Sequence, residues 1–322
     1  MFMSKFRFAI MGAGNIANKF CDGVKFVENC EVTAVASRTR SKAEDFARRH
    51  QLAAVYDSYE ELLKTEKPDC VYIAVTANAH FELCMLCLDY KVPVICEKAM
   101  FLNSNDAETV FQRSKELKVF VMEALWSRFL PAIGKAKQWL DEGRIGKPAF
   151  LDFGIGFPAP ADRNNRYFNP ELGGGTAYDI VVYAYGITTH FIKQKIEDIQ
   201  VSALFADTGV DVVTNTSIRF SDMLASLKAT FISGMDEKLV IYGDKGKLVV
   251  PFPHFAWEAF LYNSKNEEIE HFLDEKTQNG FQYEIKEVYE CIKRGEYESP
   301  VMPHEATLQC TVLFDKIMST RP

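Results

Sequence analysis

The sequence lacks several features that would place it in a specialised class. No run of about 18 apolar residues occurs among its 322 residues, so it predicts no membrane span. Positive charge is not in excess: 37 Lys and Arg stand against 44 Asp and Glu, for a net charge of −7. Nucleic-acid binding needs a basic face, so nucleic acid is not an expected partner. The start, Met1 to Phe6, enters a strand-like run directly. It has none of the charged start, apolar stretch and small-residue cleavage site of a secretory leader. Cysteine is scattered rather than dense: Cys21, Cys30, Cys70, Cys84, Cys87, Cys96, Cys291 and Cys310 sit in separate apolar runs. That distribution suits a reducing cytoplasm better than a disulfide framework. Cys84 and Cys87 form a CxxC with no second pair at zinc spacing. They read as two small core residues on one helix face, and no metal is expected.

What is present is ordinary globular material, 48% hydrophobic and 25% charged, and long enough for two domains. Residues 1–123 alternate short apolar runs with helical patterns. The expected strands are Arg7–Met11, Glu31–Ser37, Ala54–Tyr56, Asp69–Val75, Val92–Glu97 and Val119–Met122. Ser58-Tyr-Glu-Glu61 is a capping box opening a helix to about Thr65. Such alternation implies a parallel sheet with helices on both faces. Residues 124–322 change rhythm. After a helix over Pro131–Gly143 come strand patterns at Ala149–Phe157, Ile199–Phe205, Asn215–Phe220, Leu224–Ile232, Leu239–Tyr242, Lys247–Val250 and Glu258–Tyr262. Helical patterns at Phe281–Arg294 and Glu305–Met318 follow. Polar turn clusters between the strands predict an α+β domain built on a large, mostly antiparallel open sheet.

Ile10-Met-Gly12-Ala-Gly14-Asn-Ile-Ala17 follows the first strand and opens a helix. This GxGxxA permits a tight turn at Gly12 and pyrophosphate approach at Gly14, with Asn15 and Ile16 at the helix N-terminus and close packing at Ala17. The fold class is therefore α/β, with an N-terminal Rossmann fold that binds a dinucleotide. Where an NAD site carries an acid, the second strand ends in Ser37 and Arg38, with Arg40 beyond. A hydroxyl and a guanidinium suit a 2′-phosphate, so the expected cofactor is NADP(H), with NAD(H) the alternative.

Three further segments carry a resemblance: Val75-Thr76-Ala-Asn78-Ala-His80, Cys96-Glu97-Lys98-Ala99 and Gly173-Gly-Gly175-Thr-Ala-Tyr-Asp179-Ile-Val-Val-Tyr183. With the GxGxxA, the chain resembles the Gfo/Idh/MocA oxidoreductases over nearly its whole length. Met122-Glu-Ala-Leu-Trp126-Ser-Arg128-Phe129 and Gly280-Phe281-Gln-Tyr283-Glu284 resemble its NADP-dependent dihydrodiol dehydrogenase and D-xylose dehydrogenase branch. The resemblance implies hydride transfer between NADP(H) and a secondary alcohol of a sugar or cyclic trans-diol. It implies catalytic roles for Lys98, Asp179 and Tyr183, and a cofactor lining of Thr76, Asn78, His80, Glu97 and Lys98. The substrate wall would draw on Trp126, Arg128, Phe157, Trp257 and Phe281, because aromatic faces suit the apolar side of a sugar or cyclic diol. Arg163 and Arg166 are candidates for an anionic substrate.

Each residue also has a plainer reading. Lys98 could be a surface charge, Asp179 the acid of a capping box begun by Thr176, and Tyr183 a core tyrosine with Tyr185 as competitor. Gly173 to Gly175 could be a flexible lead-in. Asp179 and Tyr183, four apart, would share a helix face. Two positions depart from the family pattern: Ala99 replaces proline, and Val181 replaces glycine. Without proline a cis bond is disfavoured, so the Lys98–Ala99 bond is expected to be trans, with Lys98 reaching the nicotinamide cleft between the domains.

Family members commonly cover the second domain's sheet with a partner's. The alternation of Ala225, Leu227, Ala229 and Phe231 with Ser226, Lys228 and Thr230 marks that face, and a homodimer or homotetramer is expected. The rival functions are an NADP-dependent sensor of the same fold, disfavoured by Lys98, Asp179 and Tyr183, and a redox-assisted glycosidase, disfavoured by Ser37 and Arg38.

Overall fold

The structure, a computed structural model, describes residues 5–160, 162 and 165–322; Arg163 lies outside them. The chain forms two compact units. The first gathers residues up to Trp126 together with Asn279–Leu308; the second comprises Ser127–Gln278 and Gln309–Pro322. The expected division into 1–123 and 124–322 is contiguous, and the structure differs by returning Asn279–Leu308 to the first unit. The cause is packing: a late helix docks on an early one, a pairing that local sequence pattern does not encode.

In the first unit, six strands line up in the order β3-β2-β1-β4-β5-β6. They are β1 (Phe6–Met11), β2 (Cys30–Ala36), β3 (Ala54–Tyr56), β4 (Cys70–Ile73), β5 (Val94–Glu97) and β6 (Val121–Ala124). All pairs are parallel. β4, β5 and β6 are buried at every position, as strands covered on both faces must be. The helices are α1 (Asn15–Val24), α2 (Arg40–His50), α3 (Tyr59–Glu66), α4 (His80–Asp89) and α5 (Ser104–Leu117). α1 buries Ala17, Phe20, Cys21 and Val24, the 3–4 spacing of one helical face. Ser58 opens α3 by accepting the Glu61 N–H at 3.2 Å. Cys84 and Cys87 are buried in the core beside Val71 and Val94. α8 (Phe281–Lys293) completes the unit by packing on α1.

The second unit holds α6 (Pro131–Asp141), α7 (Val182–Phe191) and an eight-stranded sheet in the order β14-β13-β12-β11-β7-β10-β9-β8. Its strands are β7 (Pro148–Gly156), β8 (Ile196–Phe205), β9 (Asp211–Phe220), β10 (Leu224–Thr230), β11 (Lys238–Gly243), β12 (Gly246–Pro251), β13 (Glu258–Asn263) and β14 (Glu268–Leu273). Only β7 and β10 run parallel. The sequence reading missed β14. It is an edge strand, Glu-Ile-Glu-His-Phe-Leu, whose charges suit an edge but hide it from a search for apolar runs. α9 (His304–Ser319) closes the chain. Among the described residues, no helix is long and apolar enough to cross a membrane.

The sheet face assigned to a partner needs correcting. Ala225, Leu227, Ala229 and Phe231 are all at most 2% exposed. α7 and the turn before it pack on β10 and cover that face from within the chain. Alternation shows which residues share a face, but not which face a helix will cover. The opposite face carries Leu224, Phe150 and Tyr242 side by side across β10, β7 and β11. These three remain 45%, 37% and 43% exposed.

Candidate functional site

In the first unit the strand order reverses beside β1, between β2 and β4, the place where such sheets open a crevice. Gly12 leaves β1 at φ +108, and a Cβ there would lie 2.3 Å from the Ala74 carbonyl oxygen. Its lack of a side chain thus lets two loops meet. Gly14 caps α1 with no side-chain hydrogen bond, and both it and Asn15 are exposed. The first N–H groups of α1 therefore face an open approach, with the positive end of the helix dipole behind them. Ile16 is half-buried.

At the end of β2, the Ser37 hydroxyl accepts the Thr39 N–H at 3.3 Å. Arg38 is exposed and borders a cavity of ≈450 Å³ whose lining mixes the apolar Val75, Leu83 and Leu86 with the acidic Asp57, Glu60 and Glu82. The apolar side chains offer a face for a flat base, with Arg38 as the cation of the lining. Arg40 instead pairs with Glu44 at 2.9 Å and Asp57 at 3.5 Å. Thr76 and Asn78 are exposed on the loop after β4.

His80 differs from its expected place in the cofactor lining. It is 1% exposed. Its Nε2 lies 3.2 Å from the Val75 oxygen, and its Nδ1 lies 3.1 and 3.2 Å from those of Ala99 and Met100. It braces the loop after β4 against the segment after β5. Glu97 is also buried; it accepts the Tyr72 hydroxyl and, at 3.2 Å, the Lys98 N–H. Burial pushes its carboxyl up to about 7, with the Tyr72 hydrogen bond and the Lys98 charge opposing. Tyr72 stacks on Phe20 with ring centroids 3.8 Å apart. Glu284 of α8 is fully buried, and among the described residues neither of its oxygens has a hydrogen-bond partner. Burial, reinforced by the Glu97 charge, holds its carboxyl well above the usual carboxylate range.

Lys98 is half-buried at the end of β5. The expected trans bond to Ala99 is corrected: Lys98–Ala99 is cis. The segment is held by partners remote in sequence, His80 on the carbonyls and Glu123 on the Met100 N–H at 2.9 Å, and local preference does not register them. Trp126 stacks on Phe281 at 5.1 Å, and Phe281 is itself buried.

In the second unit, Gly173 to Gly175 make a close-packed approach rather than a loose lead-in. A Cβ on Gly174 would sit 2.8 Å from three carbonyl oxygens, and one on Gly175, at φ +116, 2.2 Å from Asp211 Oδ1. Asp211, fully buried on β9, accepts the Ala177 N–H at 2.9 Å, the Thr214 hydroxyl at 3.0 Å and the Thr176 hydroxyl. Residues Ala177–Val181 form a π-helical turn that runs into α7. The equivalence of Asp179 and Tyr183 as α-helical i, i+4 neighbours is therefore corrected, since the π turn widens the repeat. Thr176 makes no side-chain cap, and Asp179 instead pairs with Arg166 at 3.1 Å. Val181 is buried in that turn.

Tyr183 is half-buried at the start of α7, whereas Tyr185 is a core residue. The ring of Tyr183 lies 5.5 Å from that of His254, whose Nδ1 is bound to Glu237. Arg128 is withdrawn from any substrate: it is 2% exposed and donates to the Gly186 carbonyl and, at 3.0 Å, to Thr189. Phe157 packs on Tyr167 and Phe231. The sequence reading overlooked Tyr72, Asp211, Glu237 and His254, none of which lies in a motif. Glu284 sat in a quoted segment without a role.

Comparison with known proteins agrees with this architecture. A model described as an oxidoreductase family with an NAD-binding Rossmann fold matches residues 6–125. A GFO/IDH/MocA C-terminal domain model matches residues 133–249. Trans-1,2-dihydrobenzene-1,2-diol dehydrogenase of Mus musculus is 31% identical, over 92% of this chain and 91% of its own. That of Danio rerio is 30% identical, over 96% and 95%. Among solved structures, aldose-aldose oxidoreductase from Caulobacter crescentus superposes with a TM-score of 0.88 at 18% identity, covering 98% of this chain and 97% of that one. KijD10, a 3-ketoreductase from Actinomadura kijaniata solved with NADP and TDP-benzene, gives 0.85 at 22%, covering 98% and 97%. With both halves matched in order and relatives of 30% identity or more spanning nearly the full length, the chain belongs to the GFO/IDH/MocA family of oxidoreductases.

Proposed function

We propose that the protein is a dehydrogenase that moves hydride between NADP(H) and a secondary alcohol of a sugar or cyclic trans-diol. The observation that carries the cofactor choice is the exposed Arg38 over the ≈450 Å³ cavity, at the strand end where an NAD site would hold an acid. Gly12, Gly14, Asn15 and Ile16 would receive the pyrophosphate, Ser37 and Arg38 the 2′-phosphate, and Thr76 and Asn78 the ribose side. The bound nicotinamide supplies the hydride acceptor. Lys98 and Tyr183 would handle the proton of the reacting oxygen, with Asp179 beside Arg166 setting local charge. The substrate class follows the relatives named dihydrodiol dehydrogenases, which align over more than 90% of this chain.

The exposed row Leu224, Phe150 and Tyr242 supports assembly into a homodimer or homotetramer through the second unit's sheet. Eight buried free thiols support a cytoplasmic location. The deciding experiment follows reduced-cofactor absorbance with aldoses, inositols and cyclic trans-diols, using NADP+ and NAD+. Turnover with NADP+ and a sugar or diol is expected. Cofactor binding without turnover on the whole panel would refute the reading in favour of a sensor.

A further inference from the structure

We propose that His254, oriented by Glu237, is a positioning and proton-relay residue for Tyr183; the inference rests on the dehydrogenase reading above. Four observations within the second unit carry it. The His254 and Tyr183 rings meet at 5.5 Å with their planes tilted by 49°. The His254 Nδ1 is bound to the Glu237 carboxylate, an arrangement that in the neutral imidazole puts the proton on Nδ1 and turns Nε2 into the acceptor. The segment is anchored twice on Glu237, because the Phe252 N–H also donates to the Glu237 carbonyl at 3.0 Å. Phe255 closes edge-on over the imidazole at 4.3 Å.

A carboxylate that orients an imidazole is a common way to prepare a base for a neighbouring hydroxyl, and the Tyr183 and His254 rings are close enough for one water to link their polar ends. The imidazole is 27% exposed and the carboxylate only 11%, so the histidine can trade protons with water while its orienting partner stays sheltered. The balance is complete. In oxidation a bound nicotinamide would take the hydride while the alcohol O–H breaks. That proton passes to the Tyr183 oxygen, whose own proton moves to His254 Nε2, directly or through one water. Glu237 offsets the imidazolium charge until Nε2 releases the proton to solvent. Reduction runs the same path backwards.

The test is His254→Ala and His254→Gln in the full-length enzyme, with a substrate the wild type turns over. Both variants should lose about 10²-fold in kcat, the low end for general acid–base assistance, with KM and NADPH binding within about twofold. Added imidazoles should restore His254→Ala turnover, and the restored rate should rise with imidazole basicity, which mere filling of a hole would not produce. Glu237→Gln should slow turnover in the same direction. Wild-type-like kcat in both His254 variants, or a loss that no imidazole relieves, overturns the relay while leaving the dehydrogenase reading intact. Absence of turnover by the wild type across the panel overturns that reading and takes the relay with it.

Discussion

Asp211 on β9 accepts the N–H of Ala177, the first residue of the π-helical turn, at 2.9 Å. A carboxylate remote in sequence thus caps the helix that carries Asp179 and Tyr183. Removing it in Asp211→Ala leaves that N–H without its acceptor and the Thr176 and Thr214 hydroxyls with only each other, 2.8 Å apart. The expected loss is about 1–3 kcal/mol of stability, read from the urea midpoint. Asp211→Asn, which keeps one acceptor oxygen, should lose less. Equal stability of Asp211→Ala and the wild type would show that the cap contributes nothing.

Cofactor choice is tested by Arg38→Ala. A hydrogen bond to a charged phosphate is worth about 1.5–3 kcal/mol, so NADP+ should bind at least about tenfold more weakly while NAD+ is unchanged. Titration of protein fluorescence with each cofactor measures this. An equal loss for both would remove Arg38 from the 2′-phosphate.

Proton handling is tested at the two proposed residues. Lys98→Met should abolish turnover and leave NADP+ binding largely intact, because the pyrophosphate is received at the start of α1. Tyr183→Phe should lower kcat by about 10²–10⁴ if the phenol is the acid–base group. Near-normal steady-state turnover in Tyr183→Phe would pass that role to Lys98 or water.

Glu284 makes a prediction about pH. Its carboxyl is raised well above its ordinary value in the folded protein by burial and by Glu97. The folded state therefore binds more protons than the unfolded one at pH values between the ordinary carboxylate range and its own raised value. Its contribution to stability is fully present below that range and is lost as pH rises towards the folded value, by at most about 1.4 kcal/mol per pH unit. Glu284→Gln should match the wild type near pH 4 and exceed its Tm by a growing margin from pH 5 upwards. A margin that does not change with pH would contradict a carboxyl raised by burial.

Assembly is tested on the exposed row. Phe150→Glu combined with Leu224→Glu should convert an oligomer, seen by light scattering at micromolar concentration, to monomers that stay folded by circular dichroism. A monomeric wild type would remove the sheet as an assembly surface.

The parts of the fold that depend on local repetition were legible before any packing was known. Buried parallel strands read as short apolar runs, so β1 to β6 were legible within a few residues. Gly12, Gly14 and Ala17 announced the turn because tight turns and close packing restrict residue type locally. Tertiary structure alone decided what distant partners control. Ala225, Leu227, Ala229 and Phe231 were legible as one face, but only the docking of α7 showed that the chain covers it itself. Arg128 and His80 looked available until Gly186, Val75 and Ala99 took up their polar atoms. Val181 and Asp179 fell in a π turn whose first N–H is capped by Asp211, which lies far along the chain. Glu284 and His254 acquire a role only through burial and through Glu97, Glu237 and Tyr183. The physical reason is one of range: dihedral preference and periodicity act between neighbours in sequence, whereas desolvation, capping by remote carboxylates and the pairing of side chains depend on which segments the fold brings together.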